Sequence, residues 1–295
     1  MLGVSSYAYA WRRHPDVRNR WSLEQVLRDA HQLGLGLVQL CDVDELEDHD
    51  PSALDAVRAT AERLGLVIET GTKGVEPEHL QRHLETAQRL GSGLIRSMLS
   101  SPRGRPDPSQ AVHMLRKVMP HFERRGVVLA LETYEQYLTA ELVQVIHEVA
   151  SPNLGICLDP GNSIAALEHP RAVVDAAAPH VKNVHIKDFT FSRSEGMIGF
   201  QLSGAPLGEG LLDYDHMIWC LTAAGIRANH VLEHWMPRSG TLEETAQKES
   251  QWVEHSVGWL LAREGAALSS SRPDWPESRA AYEVKDPATS RTGHP

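Results

Sequence analysis

Cysteine is scarce in this chain: Cys41, Cys157 and Cys220 are the three in 295 residues. They stand far apart and match neither a disulfide framework nor a zinc-ligand spacing, so they read as buried thiols of a reducing cytoplasm. A basic excess is missing too. Lys and Arg number 29 against 39 Asp and Glu, for a formal net charge of −10. That balance argues against a nucleic-acid partner held by phosphate neutralisation. No apolar run approaches the ~20 residues of a membrane span. The opening MLGVSSYAYAW has neither the basic start nor the long apolar stretch of a signal peptide. No glycine-rich phosphate loop follows the first strand-like run, which weakens a doubly wound sheet as the fold. The expectation is a cytoplasmic protein with no membrane and no nucleic-acid partner.

What is present is an alternation of short apolar runs with amphipathic ones. The strand-like runs are LGVSSYAYA, GLVQLCDV, LGLVIETGT, GLIRSML, GVVLALETY, NLGICLDPG, VKNVHIKDF and NHVLEHW. Helical runs such as SLEQVLRDAHQLG, ALDAVRATAERLG and QAVHMLRKVMPHFERRG lie between them, several closing on Leu-Gly or Arg-Gly. Eight strand–helix units fit a (β/α)8 TIM barrel over residues 1–264. From residue 265 to 295 the composition turns to Ser, Pro and Arg, which predicts a mobile polar tail outside the barrel.

Four late strands share an oddity. Along a strand, alternate side chains face one way. On that basis Val128, Ala130 and Glu132 share a face, as do Gly155, Cys157 and Asp159. Asn183, His185 and Lys187 form a third set, and Val231, Glu233 and Trp235 a fourth. Each inward face thus carries a metal-capable group near the C-terminal end of its strand. In a parallel barrel those ends form one rim, where such barrels keep their active sites. Glu132, Asp159, His185 and Glu233 are therefore expected to converge on one divalent ion. Three carboxylates and an imidazole suit Mn²⁺ first, with Mg²⁺, Co²⁺ and Zn²⁺ as alternatives.

Other residues are candidates for substrate contact. Lys187 is a rim amine, and Arg96 shares a face with Leu94 and Met98, placing it to orient Glu132 or a substrate oxygen, or to form a structural ion pair with Glu69. Tyr7, Tyr9 and Trp11 follow the first strand and could wall a pocket, with Asn162 and Trp235 beside the metal-capable strands. GEG at 208–210 reads as a tight turn able to bind an anion. Residues 190–207 form a long connection of the kind that serves as a lid, and HPDVRNRW reads as a second cover.

The segments LETYE, GICLDPGNS, VHIKDF, PLGEGLLDY and VLEHW, in that order, resemble the xylose-isomerase-like TIM-barrel superfamily over about residues 2–263. The resemblance implies one divalent metal on Glu132, Asp159, His185 and Glu233, with Glu132 and Glu233 also moving protons. It implies enediolate chemistry on a small sugar or sugar derivative, with sugar isomerase or epimerase as the first expectation. A decarboxylase of a 3-oxo sugar acid is the alternative, because IKDFTFSRSEGMIGFQLSGAPLGEG, SSYAYAW and TLEET resemble the branch named for 3-oxo-isoapionate. A dehydratase and a non-catalytic sugar-binding subunit rank lower, and a second copy of the chain is the candidate macromolecular partner. There are two departures from the epimerase pattern: Asn162 stands where many have histidine, and Lys187 and Asp188 stand where several have arginine.

Overall fold

The computed structural model describes residues 1–43, 46, 50–194 and 198–269. Eight short parallel strands close into a barrel: β1 (Leu2–Ser5), β2 (Leu37–Cys41), β3 (Val67–Gly71), β4 (Leu94–Ser97), β5 (Val128–Glu132), β6 (Leu154–Leu158), β7 (Val181–Ile186) and β10 (Asn229–Leu232). Sequence neighbours pair throughout, and β10 closes the ring between β7 and β1. All eight expected strands form, each shorter than the run that signals it. Both faces of such strands are covered, by helices outside and by side chains within, so nearly every strand residue is buried.

Helices cover the barrel: α1 (Leu23–Gln32), α2 (Pro51–Leu64), α3 (Pro77–Leu90), α4 (Pro108–Arg125), α5 (Thr139–Val149), α6 (Pro170–Ala177), α7 (Tyr214–Ala223) and α8 (Leu242–Ser269). Their starts are written locally. Ser22 and Asp107 form capping boxes with Gln25 and Gln110. The Leu-Gly ends behave as expected. Gly65 closes α2 in the left-handed region at φ 69°, where a Cβ would be strained.

Two details go beyond the expected layout. Residues 190–207, expected as a long connection, carry strands of their own. They contain most of an antiparallel hairpin of β8 (Phe189–Arg193) and β9 (Phe200–Gly204) standing on the rim. The second detail concerns the expected tail. Helix α8 runs past the boundary expected after residue 264, to Ser269, and residues 270–295 lie outside the described residues. No helix among the described residues is long and apolar enough to cross a membrane.

Candidate metal centre

The expected convergence occurs. Glu132 ends β5, Asp159 follows β6, His185 lies in β7 and Glu233 follows β10. Each offers one ligand atom, and the four atoms lie within 4.8 Å of one another. All four residues are buried.

Three of the four candidate ligands are held from behind. Asp159 Oδ1 accepts from the backbone N–H of Gly161 at 3.1 Å and of Asn162 at 3.3 Å, leaving Oδ2 for the centre. Glu132 Oε2 lies 2.7 Å from Arg96 Nε, while its Oε1 accepts from Asn162 Nδ2 at 2.8 Å. Burial alone would raise the Glu132 pKa, but Arg96 and His185 outweigh it and hold the carboxyl well below its ordinary value. His185 Nε2 lies 2.8 Å from Gln39 Oε1. The Gln39 amide cannot be turned round, because its Nε2 donates to Glu69 Oε2 at 3.1 Å and Asn183 Oδ1 at 3.0 Å. Gln39 Oε1 is therefore an acceptor, and His185 Nε2 carries a hydrogen.

That tautomer turns the Nδ1 lone pair of a neutral His185 toward Glu132 Oε1 at 3.2 Å, Glu233 Oε1 at 3.4 Å and Asp159 Oδ2 at 3.9 Å. Glu233 Oε1 is buried and accepts no hydrogen bond. Four donor atoms facing one point, one of them a buried oxygen that accepts no hydrogen bond, suit a bound cation. Burial pushes the His185 pKa down, yet Glu233 and Glu132 push it up further, and the net direction is up. The residues present therefore fit a divalent metal: hard oxygen donors, one imidazole and a buried site with its outer partners in place.

Lys187 stands over this cluster. Its Nζ lies 2.6 Å from Asp159 Oδ2, 3.0 Å from Glu233 Oε2 and 3.3 Å from Asn162 Oδ1. The Trp235 ring lies 4.6 Å from it, an aromatic face for the cation. Burial opposes its charge, but Asp159 and Glu233 outweigh that and push the amine well above its ordinary pKa. Asn162 bridges two of the parts: its amide donates to Glu132 while its oxygen accepts from Lys187.

Arg96 and Tyr7 lead away to one side. Arg96 is buried, and its Nη1 lies 3.7 Å from Asp42 Oδ2. Tyr7 donates to the same Asp42 oxygen and lies beneath the Arg96 guanidinium. Lys73 Nζ is 3.1 Å from Asp42 Oδ2. Tyr7, Asp42, Arg13 and His14 line an open cleft of about 200 Å³. HPDVRNRW thus contributes to the wall, through His14, Pro15 and Arg20.

Several expectations are corrected. Glu69 is not the partner of Arg96. It lies in the layer below the centre, bonded to Gln39, Asn183 and Asn229, whereas Arg96 pairs with Glu132 and Asp42. Tyr9 turns into the core and donates to Asp29 at 2.8 Å. Trp11 Nε1 donates to Met236 O, pinning the first loop to the segment after β10. The GEG turn does bind an anion, and that anion is the protein's own Asp188. Its carboxylate accepts from the N–H groups of Gly208, Gly210, Leu212 and Phe189 at 2.9–3.0 Å. A Cβ on Gly210 would lie 2.1 Å from Asp188 Oδ1, which is why glycine stands there. Gln39 and Asp42 escaped the sequence reading. A lone glutamine amid GLVQLCDV is the same signal as the histidine amid VKNVHIKDF.

Comparison with known proteins agrees with this fold. The family described as xylose isomerase-like TIM barrel matches residues 27–262. A 3-oxo-isoapionate decarboxylase of Pectobacterium atrosepticum is 41% identical over 270 residues, covering 92% of this chain and 98% of the relative. Among solved structures, a D-psicose 3-epimerase of Clostridium cellulolyticum H10 superposes with a TM-score of 0.68 at 14% identity, over 89% of this chain and 98% of that one. A xylose isomerase-like TIM barrel protein of Mycobacterium smegmatis, in complex with magnesium, gives 0.62 at 19% identity, over 88% and 97%. These last two likenesses speak to the fold.

Proposed function

We propose, for a chain that belongs to the xylose isomerase-like TIM barrel family, a metal-dependent decarboxylase acting on a 3-oxo sugar acid. The sequence reading ranked sugar isomerase or epimerase first. The 41% identity to a decarboxylase over nearly the whole chain supports the reverse order.

The observation that carries this reading is the buried Lys187 amine, 2.6 Å from Asp159 and 3.0 Å from Glu233. Glu132, Asp159, His185 and Glu233 would hold one divalent ion, with manganese as our first choice. Three carboxylates then face two fixed cations, Arg96 and Lys187, plus the ion, leaving an excess positive charge with a neutral imidazole. A centre so charged favours an anionic substrate over a neutral ketose.

When bound, the metal polarises a ketone oxygen and stabilises the negative charge that develops there. Lys187 binds the substrate carboxylate and orients its C–C bond out of the plane of the ketone, with Trp235 shielding the pair from water. As that bond breaks, carbon dioxide leaves and the electron pair passes into the enolate. A proton must then reach the vacated carbon. Water supplies it, and Glu233 is the better relay: with Oε1 toward the ion, its Oε2 faces only Lys187 at 3.0 Å, whereas Glu132 is held by the Arg96 ion pair at 2.7 Å on Oε2 and by Asn162 on Oε1. An epimerase would need two mobile carboxylates, and here one is pinned.

The test is product analysis in heavy water with Mn²⁺ present. Carbon dioxide release from a 3-oxo sugar acid, with deuterium at the vacated carbon, is the expected result. Exchange of deuterium into neutral ketoses without carbon dioxide would restore the epimerase.

A further inference from the structure

A second convergence of ligand atoms lies outside the barrel, on the helices. Asp175 of α6 meets His216 and Cys220 of α7, and their ligand atoms also lie within 4.8 Å of one another. His216 and Cys220 are one helical turn apart and share a face. Asp175 Oδ1 is 2.7 Å from His216 Nε2 and 3.3 Å from Cys220 Sγ. Cys220 Sγ is 3.4 Å from the same Nε2. A nucleophile–base–acid relay would place the thiol and the carboxylate on different ring nitrogens. Here both sit at Nε2, so the trio is not a hydrolytic triad.

We propose that Asp175, His216 and Cys220 form a second metal site, for a thiophilic divalent transition ion of the zinc class. A tetrahedral zinc ion with one sulfur ligand and nitrogen or oxygen ligands separates its donor atoms by about 3.4–3.6 Å. The two separations involving Cys220 already lie near that range. Only the contact between Asp175 and His216 must open, and the Asp175 side chain is 59% exposed and able to swing outward. A water completes the fourth position. The thiolate sets this site apart from the barrel centre, whose four donors are oxygen and nitrogen, and it selects against Mg²⁺ and Mn²⁺. It shares no residue with that centre.

The proton balance is explicit. Burial, then the hydrogen bond to Asp175, pushes the Cys220 thiol up to about 11. Metal binding breaks its S–H bond, forms the S–metal bond and releases that proton to solvent. Arg171 Nη2 lies 3.2 Å from His216 Nδ1. A guanidinium only donates, so Nδ1 accepts and Nε2–H points at Asp175. An ion at Nε2 displaces that hydrogen to Nδ1, and Arg171 must then give up His216 and keep Asp213, which its Nη1 reaches at 3.0 Å. Arg171 is thus a competitor built into the site.

Titration of the full chain with Co²⁺ tests this, read by the near-ultraviolet thiolate-to-cobalt charge-transfer absorption that the barrel centre has no ligand to produce. The wild type should show the band. Cys220→Ser should abolish it, and His216→Ala should weaken the Co²⁺ affinity read from it by about tenfold or more. Arg171→Ala should tighten that affinity several-fold. Absence of the band in the wild type, its survival in Cys220→Ser, or weaker binding in Arg171→Ala would overturn the proposal and leave a hydrogen-bonded cluster.

Discussion

His185 donates from Nε2 to Gln39 Oε1 at 2.8 Å, and this bond decides which imidazole nitrogen faces the three carboxylates. Gln39 is itself oriented by Glu69, whose carboxylate also accepts from Asn183 and Asn229. The layer below the centre therefore sets the chemistry of the layer above it. Gln39→Leu should weaken metal affinity about 10–100-fold, the range typical when a hydrogen-bond partner behind a ligand is lost. Calorimetric titration with Mn²⁺ measures it. An unchanged affinity would show that the histidine is oriented by packing alone.

Asp188 offers a test of the rim. Four backbone N–H groups from both sides of the hairpin converge on its carboxylate. Burial nevertheless raises its pKa, the backbone donors lowering it only in part. Asp188→Ala orphans those donors and should cost about 2–4 kcal/mol in urea unfolding. Asp188→Asn keeps the shape but turns an amide toward N–H groups, so it should recover little of that loss. Full recovery by Asn would mean that the turn needs only the volume of the side chain.

The barrel was legible because its strands are buried on both faces and its helices on one, so the two patterns differ along the chain. The four candidate ligands were legible for a related reason. A charged side chain ending an inward strand face has to be answered by something, and four such faces point to one answer. Gln39 carries no charge and so draws less notice, although its strand position makes the same demand. The partner of Glu69 is not legible, since the strand pattern of VIETG fixes its inward face but not its height in the barrel. The hairpin of β8 and β9 was hidden because FTFSR and FQLSG mix polar and apolar residues on an exposed ribbon. The GEG turn was read as an anion site, but its ligand comes from Asp188, twenty residues away in the chain.

Glu249 predicts a pH dependence. It is buried in α8, and its two oxygens accept from the backbone N–H of Trp11 and Arg12, both at 2.8 Å. Burial outweighs those donors and raises its pKa from 4.5 to about 7. Between those values the folded state holds a proton that the unfolded chain releases. Stability therefore falls as pH rises through this window, by on the order of 1–3 kcal/mol, and levels off above it. Glu249→Gln has no proton to lose. The stability difference, wild type minus Gln, should decline from pH 4.5 to 7 in parallel urea melts. A difference that stays constant or grows would place the Glu249 pKa at or below its unfolded value.

Lys187 separates the two chemistries. Its amine sits between two of the candidate metal ligands and above an aromatic face, where a carboxylate can reach it. With metal bound, Lys187→Met should cut kcat/KM for a 3-oxo sugar acid by about 10²–10³-fold, the usual effect of removing one strong electrostatic contact. Metal affinity should hold or improve, because a competing cation leaves Asp159 and Glu233. Lys187→Arg should restore part of the activity, since a guanidinium also binds a carboxylate. An epimerase acting on a neutral ketose would lose far less, its proton transfers resting on the glutamates. If Lys187→Met kept full decarboxylation, the carboxylate would be held elsewhere. If it lost metal instead, Lys187 would be a structural partner of the ligands and the assignment of its role would fail.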